Sequence, residues 1–209
     1  MSKKSNIEII SKINSPRTIW TIIIFSGLTH LLIYWYSKTS YINWKFSDQN
    51  LHAVIEVAGF FTAFIVGMFL FHYERNDRGG KYNYLIATSL ITMAVFDLFH
   101  ALVEPGKVFV WLHSLSVFLG GILFSLICIP KDKFVNHFKI SIKYIVTFTL
   151  FASGLSIFQP KFIPEMLTEN TFSNFAVVLN VIGGICFLIA ALHLIYTYFR
   201  FKNTDDLLF

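Results

Sequence analysis

The sequence predicts an all-α protein: a polytopic transmembrane helical bundle of about six spans with both termini in the cytoplasm. Three observations predict it. The 209 residues are 55% hydrophobic and only 14% charged. The apolar residues gather into runs of roughly 20, long enough to cross a hydrocarbon core. The five prolines, Pro16, Pro105, Pro130, Pro160 and Pro164, all fall between or beside those runs, as expected of residues that break helix interiors.

The spans are expected at about 18–37, 51–73, 85–102, 108–129, 140–158 and 172–198. Residues 1–17 then form a cytoplasmic N-terminal segment, 18–198 the membrane domain, and 199–209 a cytoplasmic tail or the start of a further segment. The polar run 203–206 leads into Leu207, Leu208 and Phe209. That pattern reads as the beginning of another element, so the chain is expected to be part of a longer protein.

Orientation follows from Lys and Arg. Lys3, Lys4, Lys12 and Arg17 precede span one, and Arg75, Arg78 and Lys81 follow span two. Lys131, Lys133, Lys139 and Lys143 flank the turn between spans four and five, and Arg200 and Lys202 follow span six. These are 13 of the 17 basic residues, and the positive-inside rule puts their side in the cytoplasm. Trp35, Trp44 and Trp111 mark the outer interface. The net charge of +5 thus records topology, and nucleic acid is not an expected partner. No signal peptide is expected, because the first apolar segment is too long and carries no convincing small-residue cleavage site. Cys128 and Cys186 lie within spans as expected buried thiols, with no CxxC motif. The glycine pairs at 79–80, 120–121 and 183–184 lack the spacing and the Lys-Ser/Thr of a phosphate loop.

Within the spans, ionisable residues are the informative ones, because a charge at membrane depth is expensive and usually marks a site. His52 and Glu56 are spaced i,i+4 in span two and share a face. Continuing down that stripe come Gly59, Ala63 and Gly67, a ladder of small residues suited to close helix approach. Asp97 and His100 are i,i+3 in span three. His113 lies in span four on a stripe with Ser116 and Gly120. At a rise of about 1.5 Å per residue, Glu56, Asp97 and His113 each fall about 7 Å from the outer end of their span. Five candidates, His52, Glu56, Asp97, His100 and His113, thus share one depth, with His30 in span one and Ser116 as secondary members. Imidazoles and carboxylates in such a set suit a transition-metal ion, Zn, Fe or Cu. They also suit a proton-titrating cluster or a polar ligand. A histidine in a span can equally serve as hydrogen-bonding glue, and His72 and His193 are read that way. The 24 Phe are read as lipid-facing bulk.

The runs His52-Ala-Val-Ile-Glu56, Asp97-Leu-Phe-His100-Ala-Leu-Val-Glu-Pro-Gly106 and Phe109-Val-Trp-Leu-His113-Ser resemble bacterial membrane-associated sensor (MASE-type) domains over about residues 51–130. The likeness is greatest to the third MASE type, from which His113 departs. The resemblance implies a non-catalytic signal-input domain in the bacterial inner membrane. It would act on a C-terminal PAS, histidine kinase or diguanylate cyclase module. The expected partners are the lipid bilayer, that module and a second copy in a homodimer. Two other readings are open. One is a zinc-dependent membrane hydrolase similar to alkaline ceramidases, using His52, Asp97, His100 and His113 with Ser114 or Ser116. The other is a haem- or quinone-binding protein.

Overall fold

The structure, a computed structural model, describes residues 16–40, 49–75, 82–129, 142–169 and 171–201. Expectations that fall on 1–15, 41–48 (with Trp44), 76–81 (with the 79–80 glycine pair), 130–141 and 202–209 lie outside the described residues. The described residues form six α-helices: α1 (Pro16–Ser40), α2 (Gln49–Arg75), α3 (Asn83–Ala101), α4 (Lys107–Ser125), α5 (Ile142–Phe158) and α6 (Asn174–Phe201). Each coincides with one expected span. Short 3-10 turns at Leu126–Cys128 and Pro160–Phe162 extend α4 and follow α5. The described residues contain no strand beyond one isolated bridge, Leu167 to Phe172.

Among the described residues, four helical stretches are long and apolar enough to cross a membrane: Leu51–Tyr73, Asn83–Ala101, Lys107–Cys128 and Asn174–Arg200. The described apolar stretches of α1 and α5, Ile23–Tyr36 and Lys143–Phe158, are shorter. The chain divides into two units, residues 1–48 and 49–209. In the first, α1 presents most of its described side chains outward, including Phe25, Leu31, Tyr34 and Trp35.

In the second unit α3 is the central helix: 56% of its apolar window is buried, against 11% for α2. It packs on α2, α4 and α5, and α4 in turn packs on α6. This follows from composition. Helices in lipid gain little from apolar burial and associate instead through small residues and polar contacts, and α3 and α4 carry both. Ser89 donates to the Gly120 carbonyl at 2.8 Å, and Ser116 to the Met93 carbonyl at 3.3 Å, pinning α3 to α4. Trp111 donates to Ser156 at 3.0 Å, joining α4 to α5. Asn180 donates to Ser114 at 2.9 Å, joining α6 to α4. Tyr82 and His193 meet at 3.4 Å, so His193 has the linking role expected of it.

Glycines set the closest approaches. A Cβ at Gly121 would stand 2.5 Å from the Gly183 carbonyl oxygen, and one at Gly183 2.5 Å from that of Val117. The α4–α6 crossing is therefore backbone against backbone. Gly67 lies against Ala87 and Ile91 of α3, and Gly120 against Met93. The small-residue ladder expected on α2 is uneven, however. Nothing stands within 4 Å of a Cβ at Gly59, which is exposed, and Ala63 is half-buried. Of its two glycine rungs, Gly67 is the close contact, where a Cβ would meet Ile91 and the Ala87 carbonyl oxygen. The two cysteines are free and half-buried rather than buried.

Two apolar clusters close the ends of this unit. Leu70, Tyr82, Ile86, Ala87, Ile127, Ala190 and Leu194 form one. At the other end the segment after α5 folds back, and Ile163 and Met166 bury against Ala176 and Leu179, with Val108, Val110 and Trp111 beside them. Ser173 opens α6 by accepting a hydrogen bond from the Ala176 amide at 3.2 Å, a helix cap of the usual kind.

Candidate metal centre

The helix pairing brings the first turns of α2 against the last turn of α3. His52 and Glu56 arrive from α2 one turn apart, and their Nε2 and Oε1 atoms are 3.8 Å from each other. His100 arrives from α3, with its Nε2 3.5 Å from the Nε2 of His52. One ligand atom from each of His52, Glu56 and His100 lies within 4.8 Å of the others.

The orientation of His100 is decided by its other nitrogen. Nδ1 is 2.8 Å from the carbonyl oxygen of Phe109. A carbonyl only accepts, so Nδ1 carries a proton and donates it. In the neutral ring the Nε2 lone pair then points at His52 and Glu56. This is the arrangement by which a backbone carbonyl fixes the tautomer and aim of a metal-ligating imidazole. The Phe109 ring lies over the His100 ring, centroids 3.8 Å apart, and removes the remaining freedom.

The spacing between donors has its own meaning. At 3.5 and 3.8 Å the pairs are too far apart for good hydrogen bonds with one another. A tetrahedral ion with bonds of about 2.1 Å holds neighbouring donors about 3.4 Å apart. The three atoms are thus grouped around a gap of ion size. Two imidazoles and one carboxylate form a donor set that zinc and non-haem iron(II) both take with positions left open.

The other candidates are placed differently. His113, on α4, has its ring centroid 5.2 Å from that of His100 and is exposed; it lies beside the donor set without joining it. Asp97 is one turn from His100 along α3 and next to Ser116. Its Oδ1 is buried with no hydrogen-bond partner among the described residues, and it too lies outside the donor set. Ser116 is buried and committed to the Met93 carbonyl. In the separate first unit, His30 is exposed and its Nδ1 is 2.7 Å from the Ser26 carbonyl of its own helix.

The donor set opens onto a groove of about 530 Å³. One wall is polar: His52, Glu56, His100 and His113, with Ser114 and Asn180. The rest is apolar, formed by Phe109 and Val110 of α4, Ala176, Val177 and Val181 of α6, and Phe172 just before it. The sequence motifs contain none of the α6 wall. Asn180, a polar residue in an otherwise apolar span, was the available signal. The role of Phe109 had none, because it acts through its backbone carbonyl.

No protein-family model, curated protein or solved structure matches this chain.

Proposed function

We propose that this chain is an integral-membrane input domain that binds one transition-metal ion at His52, Glu56 and His100. On this reading it sits in a bacterial inner membrane with six spans and cytoplasmic termini. Its metal site regulates a C-terminal kinase or cyclase module. The observation that carries the metal reading is the aim of His100: its Nδ1 proton is committed to Phe109, so its Nε2 is free to ligate beside two further donors. The sensory role rests on the resemblance of residues 51–130 to MASE-type domains and on where the donors sit. They bridge α2 and α3, so an ion would favour one arrangement of that helix pair, as a ligand with differential affinity for two states must.

A membrane hydrolase is the second reading, and one observation favours it: a three-residue donor set, the number that a catalytic zinc takes from protein, lines a groove of about 530 Å³.

The test is metal analysis of protein purified from membranes without added chelator. About one Zn, Fe or Cu ion per chain is expected, lost in His52→Ala and in His100→Ala. Folded wild-type protein that carries no metal and takes none up overturns the reading. Hydrolysis of an added amide or ester lipid by the metal-loaded chain moves the conclusion to the enzyme.

A further inference from the structure

The groove beside the metal centre has a chemistry of its own, and the inference drawn from it rests on the metal reading above. Among the residues that line it, Glu56 is the one acid; Asp97 does not line it. A divalent ion held by two neutral imidazoles and one carboxylate keeps a net charge of +1. At membrane depth an uncompensated charge is expensive. The free coordination positions face a cavity with walls of Phe109, Val110, Phe172, Ala176, Val177 and Val181. An occupant that satisfies both ends needs one anionic oxygen donor and an unbranched apolar body.

We propose that this groove binds a long-chain carboxylate, its head completing the coordination of the ion held by His52, Glu56 and His100 and its first methylenes lying along α6. The volume of about 530 Å³ is within the range of about 300–1,000 Å³ usual for small-molecule sites. Val177 and Val181 are exposed as well as lining the groove, so it is open along its length and the remainder of the tail leaves among lipid chains. Ser114, whose oxygen accepts from Asn180 at 2.9 Å, keeps its own hydroxyl proton to donate on the α4–α6 side of the head; both amide protons of Asn180 are taken up by Ser114 and the Ala176 carbonyl.

The experiment uses the full chain in detergent, loaded with Co(II), whose visible bands report its ligands. Palmitate should shift the bands saturably, whereas methyl palmitate, which has the tail without the anionic donor, should not. Acetate, which has the donor without the tail, should bind at least about tenfold more weakly, since each buried methylene contributes about 0.8 kcal/mol. Val177→Trp and Val181→Trp place a ring in the groove from exposed positions. Both should keep the Co(II) stoichiometry and lose palmitate affinity by at least about tenfold. Bands unchanged by palmitate, equal binding of acetate and palmitate, or full palmitate affinity in both tryptophan variants each overturn the carboxylate site while leaving the metal site standing. A chain that takes up no Co(II) overturns both.

Discussion

The Nε2 atoms of His52 and His100 face each other at 3.5 Å across the contact between α2 and α3. The residues are 48 positions apart, and each belongs to a motif that is weak alone. Their meeting, with Glu56 beside them, makes one group from ionisable residues of two helices.

His113→Ala should leave the metal content unchanged, because His113 is outside the donor set. Glu56→Gln should retain the fold and weaken metal binding by at least the roughly 10–100-fold lost when a group supporting a ligand is altered, because it replaces an anionic ligand with a neutral amide. Titration with Zn(II) against a competing chromophoric chelator measures both. Metal loss in His113→Ala equal to that in His100→Ala would make His113 a fourth ligand.

Gly121→Ala and Gly183→Ala should each destabilise the bundle by about 1–3 kcal/mol, because the added methyl meets backbone atoms of Gly183 and of Val117, which cannot rotate aside as a side chain can. Gly59→Ala and Gly184→Ala meet nothing within 4 Å. They should be neutral or stabilising by up to about 1 kcal/mol through helix propensity. Unfolding midpoints in detergent, followed by tryptophan fluorescence, distinguish the two pairs. Equal loss at Gly59 and Gly121 would place a close contact on α2 where none is found.

Trp111→Phe removes the hydrogen bond to Ser156 and keeps most of the ring. It should cost about 0.5–1.5 kcal/mol. Ser156→Ala should cost a similar amount. A double-mutant cycle should return a coupling near 0.6 kcal/mol, typical of hydrogen bonds between membrane helices. A coupling of zero would mean that the α4–α5 link contributes no stability.

Asp97→Asn should unfold no earlier than wild type, since the buried Oδ1 has no partner to lose among the described residues. Its metal content should also be unchanged. Joined to a C-terminal output module, Asp97→Asn and Glu56→Gln should both reduce the response measured in membranes. Output equal to wild type in both variants would count against a sensory role.

Reporter fusions after residues 15, 78 and 135 should all read cytoplasmic, and one after residue 106 should read external, as the distribution of Lys and Arg requires. An external report from position 135 would remove the six-span arrangement.

Hydropathy and proline placement alone determined the six helices. Each described helix lies on its expected span to within a few residues, because an uninterrupted apolar run can satisfy its backbone internally as a helix. The common depth of His52, Glu56, His100 and His113 was legible as well, since helix rise converts position into depth. Which of them point at one another was not. Depth says nothing about rotation of one helix around its axis relative to the next. That angle is decided by where backbones can touch, at Gly67 against α3 and at Gly121 against Gly183. Packing turned His52, Glu56 and His100 together, left His113 at the side, and set Asp97 beside Ser116. It also brought α6, which carries no part of the motifs, to form the apolar wall of the groove. The aim of His100 was decided by the Phe109 carbonyl, a backbone group that every residue possesses and no residue type announces.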